Sequence, residues 1–222
     1  MMPASPTPFA GVADVAAVLV LLTEMAMLRA PMLRSQVRLY AFQSLVVTVL
    51  AVVVGATHHL DTLYVLAAIS FLLKVVLVPL IILRMLGSID ADMAGSHSVG
   101  VATMLLIAVA TSVFGFFTLG SLPVHESVLP GAALGVAGAA ILVAFVLVVL
   151  RTDVVSQAIG FFAMENGVSL ASMVVAPKLP VILDAAFLFD LLVAVVAFAV
   201  LMRVHHGRNR TLSTSVIDRL KG

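Results

Sequence analysis

Cysteine and tryptophan are both missing from this sequence of 222 residues, and charged side chains make up only 10% of it. The lack of cysteine excludes disulfides, thiolate metal sites, iron-sulfur clusters and cysteine-ligated nickel from the chain. The six histidines offer little in exchange. His58 with His59 and His205 with His206 are adjacent pairs at helix ends, and His97 and His125 fall in connections, so none has the i, i+4 spacing of a helical metal site. No catalytic residue, cofactor site or metal site is therefore expected here. Any redox chemistry linked to the protein would reside in partner subunits.

Apolar residues are present in excess, at 63% of the chain, with a mean hydropathy of +1.24 that no soluble domain of this size would show. Spanning a bilayer takes about 20 mostly apolar residues. Seven windows qualify: 11–28, 38–57, 61–84, 98–120, 127–150, 155–176 and 180–203. They are too long and too uniformly apolar for barrel strands, and lipid demands that backbone groups be satisfied internally, so each reads as a helix. The fold class expected is an all-α integral membrane protein with seven transmembrane helices. Around them lie an extracytoplasmic tail over 1–10, containing Pro3, Pro6 and Pro8, a polar connection over 85–97 and a basic tail over 204–222. The chain divides into helices 1–3 (11–84), a hinge loop with helix 4 (85–126) and helices 5–7 (127–203).

Lys and Arg in short loops set orientation. Arg29, Arg34, Arg38, Arg84, Arg151 and the tail arginines share one side, against Lys178 on the other. The N-terminus is expected outside and the C-terminus in the cytoplasm. No basic residue precedes Arg29, so helix 1 lacks the flank of a signal peptide and is expected to be retained.

A few polar residues interrupt the apolar spans. Glu165 stands in the middle of helix 6, where a charge costs about 2.5 to 3.5 kcal/mol on insertion scales and marks a functional site by default. Ser169 and Ser172 follow it at i+4 and i+7, and Asn166 is beside it. Lys74 lies at the centre of helix 3, one turn after Ser70 and before Pro79, too deep to reach an interface about 15 Å away. It must find an acid or lose its proton. Glu24 occupies helix 1, paired with an interfacial Arg or reaching water in the plainer reading. Gln36 and Gln43 lie a heptad apart in helix 2, where amides commonly join helices. Helix 7 carries Asp184 and Asp190 on different faces. The pathway expected from these residues is Glu165, Asp190, Lys74, Asp184 and Glu24, supported by Asn166, Ser169, Ser172, Gln43 and Ser70. Helices 4 and 5 read as scaffold, with small residues at 131, 135 and 139 for close packing.

Residues 127–222 resemble the three-helix K subunit of respiratory complex I and related cation/proton antiporter subunits. The likeness rests on Leu150-Arg151, on Ile159, Gly160, Met164 and Asn166, on a third acidic helix and on the basic tail ending Val216-Ile217-Asp218-Arg219-Leu220-Lys221-Gly222. With Lys74 through Ile81, Met164-Glu165-Asn166-Gly167 and Asp184-Ala185-Ala186-Phe187, the whole chain resembles the hydrogenase-4 component E family, membrane-arm subunits of formate-hydrogenlyase-type complexes. The resemblance implies a subunit of a group 4 [NiFe]-hydrogenase or similar oxidoreductase complex in a bacterial or archaeal inner membrane. It implies antiporter-like and quinone-site-like neighbours, and a peripheral arm holding the NiFe centre and Fe-S clusters. Nucleic acid is not an expected partner. In the K subunits the helix 6 acid falls where this chain has Phe162, so Glu165 is displaced by one turn, which implies an altered pathway or no pumping.

Three rival readings compete: a purely structural anchor subunit, a subunit of a cation/proton antiporter or a free-standing transporter, and a seven-helix retinal protein. The last would need a lysine in helix 7, where Asp190 stands. The two groups of three helices also suggest a parallel duplication. Leu66-Ala67-Ala68-Ile69-Ser70-Phe71 parallels Asp184-Ala185-Ala186-Phe187-Leu188-Phe189, and Arg29 with Gln43 parallels Arg151 with Glu165.

Overall fold

The computed structural model describes residues 8–89, 99–123 and 131–175. Within these the protein is helical: α1 (Pro8–Arg29), α2 (Leu33–His58), α3, α4 (Val101–Gly120), α5 (Gly131–Leu150) and α6 (Val154–Val175). α3 runs through three consecutive pieces, an α-helix over Asp61–Ser70, a π-helix over Phe71–Leu77 and an α-helix over Val78–Ile89. There is no β-strand among the described residues. Among the described residues, six helices are long and apolar enough to cross a membrane, matching the first six windows. The seventh window, with Asp184, Asp190 and the basic tail, lies outside the described residues.

Three boundaries differ from expectation. α1 begins at Pro8 and not near Gly11, because a proline in the first turn gives up an N–H that has no intrahelical partner anyway. α2 begins at Leu33 and not at 38, with Arg34 and Arg38 on exposed positions where long stems keep their charges out of the packed face. Residues 85–89, assigned to the hinge, continue α3.

Short turns at 30–32, 59–60 and 151–153 make successive helices antiparallel. The first ends with Gln36 Nε2 donating to Ala30 O at 3.1 Å, and the third with Gln157 Nε2 donating to Arg151 O at 2.9 Å, each reaching back six residues. Asp153 caps α6 by accepting from the Ser156 N–H at 2.7 Å. At the far end of α2, His59 takes a left-handed conformation, φ 54°, and its N–H closes on Gly55 O. The hairpins α1–α2 and α5–α6 lie face to face, α1 on α5 and α2 on α6, with α3 flanking α2 and α4 flanking α5. Arg151 at the end of α5 donates through Nη2 to Leu28 O and Ala30 O, both at 2.8 Å. The ends of α1 and α5 therefore meet, and the two hairpins run in the same direction.

Glycines bring α4, α5 and α6 to backbone contact. A Cβ on Gly115 would stand 2.5 Å from Gly138 O, and one on Gly138 would stand 2.6 Å from Gly115 O. Gly160 and Gly167 open α6 to Val148 and Ile141 of α5 in the same way.

The apolar interior falls into two clusters. One, at the Arg151 end, includes Met27, Tyr40, Leu86, Leu147 and Phe162. The other, at the opposite end, includes Ala17, Val54, Ala67, Ala137 and Met173. Between them on α1, α2, α3 and α6 lie the buried polar side chains Glu24, Gln43, Ser44, Lys74 and Asn166. The polar groups thus form one layer near mid-depth, sealed above and below.

Candidate functional site

Lys74 sits within the π-helical turn and is 2% exposed. Pro79, just beyond that turn, has no N–H for the carbonyl of residue 75 and its ring crowds that carbonyl. A π-bulge widens the helix and commonly accompanies a functional site. The change of register also breaks the α-helical spacing that would stack Ser70 under Lys74, and Ser70 is half-buried without a bond to the site.

Lys74 Nζ lies 2.6 Å from Glu165 Oε1, and the two side chains are 2% and 17% exposed. The ammonium also donates to Ser169 Oγ at 3.3 Å and to Asn166 Oδ1 at 3.5 Å. Ser169 Oγ donates in turn to Glu165 O at 2.9 Å. Three polar residues on one face of α6 thus receive one cation from α3. Each charge offsets the cost of holding the other at this depth, which a lone charge would bear in full.

From Asn166 the polar contacts continue sideways through the bundle. Asn166 Nδ2 donates to Ser44 Oγ at 2.9 Å and to Gln43 Oε1 at 3.1 Å. Gln43 Nε2 donates to Glu24 Oε1 at 2.7 Å and to Val20 O at 3.3 Å. Glu24 is 1% exposed, so it neither pairs with an interfacial arginine nor reaches water. The sequence-derived residues Glu165, Lys74, Asn166, Ser169, Gln43 and Glu24 are therefore drawn together from α6, α3, α2 and α1. Ser172 is half-buried and makes no bond to them. Asp184 and Asp190 lie outside the described residues.

Two members were missed in the sequence. Ser44 is legible in retrospect as the polar neighbour of Gln43. Tyr40 gives no such signal; its buried hydroxyl has no hydrogen bond of ordinary length, yet stands within electrostatic reach of Glu165. Its ring lies 5.9 Å from that of Phe162. At the end of the bundle, burial lowers the Arg151 guanidinium from its usual value and Asp153 acts the other way. An arginine stays charged regardless, and this one serves as a cap for α1. Among the described residues no three His, Asp or Glu gather as a metal site would require.

No family model matches the sequence, and no solved structure matches it. Hydrogenase-4 component E of Escherichia coli K12 is 27% identical over 206 residues, covering 92% of this chain and 94% of that one. The chain is similar to hydrogenase-4 component E. Component E of Shigella flexneri shows the same identity and coverage. An uncharacterised protein of Mycobacterium tuberculosis is 25% identical over 191 residues, 85% of each chain. The likeness to component E covers nearly the whole of this chain.

Proposed function

We propose that this chain is a membrane-arm subunit of a group 4 [NiFe]-hydrogenase or complex I-like assembly, and that its mid-depth residues form part of a proton path. The observation that carries the reading is the Lys74–Glu165 pair with its Asn166 link, buried in a chain similar to component E over nearly its whole length. A base and an acid 2.6 Å apart can pass a proton from Nζ to Oε1 when a neighbouring charge moves. In this reading 180–203 forms a seventh helix that brings Asp184 and Asp190 to the path. The end bearing Arg29, Arg84 and Arg151 faces the cytoplasm by the positive-inside rule, which puts the N-terminus outside. The NiFe centre and Fe-S clusters belong to the peripheral arm, and antiporter-like and quinone-site-like subunits adjoin this one in the cytoplasmic membrane.

Glu165→Gln in the intact complex tests it. The complex is expected to assemble, with proton translocation or coupled hydrogen turnover lowered. Wild-type pumping and turnover in that variant would defeat the reading. Failure to assemble would favour an anchoring subunit whose polar layer only joins helices.

A further inference from the structure

Two amides separate Glu24 from Lys74, and their hydrogen bonds all point one way. An ammonium can only donate, so Asn166 must offer it the carbonyl oxygen. The Asn166 NH2 then meets Gln43 Oε1, and the Gln43 NH2 is left facing Glu24 Oε1. Each amide dipole thus has its oxygen toward the cation and its N–H toward the carboxyl. Aligned bonds of this kind polarise one another, and in an interior of low permittivity the effect is strengthened. An amide, however, is no proton carrier, because its N–H is not surrendered under ordinary conditions. Each carboxyl keeps Oε2 outside this set of bonds, so both have an oxygen at which a proton can reside.

We propose that Gln43 and Asn166 are a proton-blocking electrostatic bridge: the charge on Lys74 controls whether Glu24 holds a proton, and no proton passes between the two. With Lys74 as ammonium, the aligned amides favour Glu24 as carboxylate. When the Lys74 Nζ–H bond breaks and the Glu165 Oε1–H bond forms, both charges of the pair vanish, the aligned amides no longer end on a cation, and Glu24 takes up a proton from water at Oε2. Among the described residues, the titratable groups that face this assembly are Tyr40 on α2, Lys74 on α3 and Glu165 on α6, while α4 and α5 carry none. The inference deepens the proton-path reading and rests on it for its purpose, but its two observables do not require pumping.

The test uses the intact complex in liposomes. Dicyclohexylcarbodiimide reacts with protonated carboxyls in apolar surroundings, and mass spectrometry of the peptide containing Glu24 reads the protonated fraction. Lys74→Met and Asn166→Leu are each expected to raise labelling of Glu24 on the order of tenfold at one pH, as for charges coupled at an effective permittivity of about 20. Asn166→Ser gives the same reading should the leucine variant fail to assemble. Gln43→Glu combined with Asn166→Asp replaces both amides by proton carriers and is expected to raise passive proton leak. Unchanged Glu24 labelling in both Asn166 variants overturns the coupling, and a membrane as tight as wild type in the double variant overturns the block. Glu165→Gln with wild-type pumping would instead defeat the proton path alone, leaving both of these readouts in place.

Discussion

Lys74→Met removes the cation from a pair whose partners are 2% and 17% exposed and whose charged atoms are 2.6 Å apart. Glu165 then keeps a largely buried carboxylate without its ammonium, and Asn166 Oδ1 and Ser169 Oγ each lose a donor. Breaking a buried pair by removing one partner costs about 3 to 5 kcal/mol. The residual exposure of Glu165 argues for the lower end, about 3 kcal/mol. Replacing both partners by apolar residues of similar size is close to neutral, so Lys74→Met with Glu165→Leu should be more stable than Lys74→Met alone by about 2 kcal/mol or more. The assay is unfolding of the purified chain in mixed micelles by increasing sodium dodecyl sulfate, with the two single variants and the double variant closing a cycle. If the double variant loses the sum of the single losses, the pair is not an energetic unit and the layer has been misread.

Gly115→Ala should cost about 1 to 3 kcal/mol by thermal unfolding, since its Cβ meets backbone on Gly138 that cannot yield without separating α4 from α5. Gly11→Ala, with nothing within 4 Å of the added carbon, should instead stabilise by about 0.5 to 1 kcal/mol. Arg151→Lys should leave carbonyls at the end of α1 short of donors, a loss of about 1 to 3 kcal/mol, seen as faster amide exchange in the 27–36 segment. Asp153→Ala removes the cap of α6 and should lower stability by about 0.5 to 2 kcal/mol in the same melts.

Much of this was legible because the bilayer simplifies the reading. Runs of apolar residues fixed six helices to within a few positions, and Lys74, Glu165 and Glu24 stood out because charge is expensive at that depth. That they meet in one layer could not be read, since spacing along a helix says which residues share a face but not which helix that face meets. Pro79 leaves the carbonyl of Val75 without its N–H partner, which the sequence shows, but that the turn before it widens into a π-helix depends on what packs there. Tyr40 stayed hidden because an aromatic in an apolar span reads as core, and only its neighbours make its hydroxyl notable. The braces of Gln36 and Gln157 close the two hairpins with the same bond, a likeness that the sequence alone did not offer.

The widened turn over Phe71–Leu77 holds one residue more than an α-helical path of the same length needs. A change of packing that let the turn tighten to an α-helix without losing a residue would swing everything before it by about 100°. Val65 and Ile69, which now look outward, would then compete with Leu63 and Ala67 for the inner side. Such a shift would change which outer surface α3 shows to lipid or to a neighbouring subunit while leaving its hydropathy untouched, whereas a single-codon loss there would restore an α-helix with its faces in register.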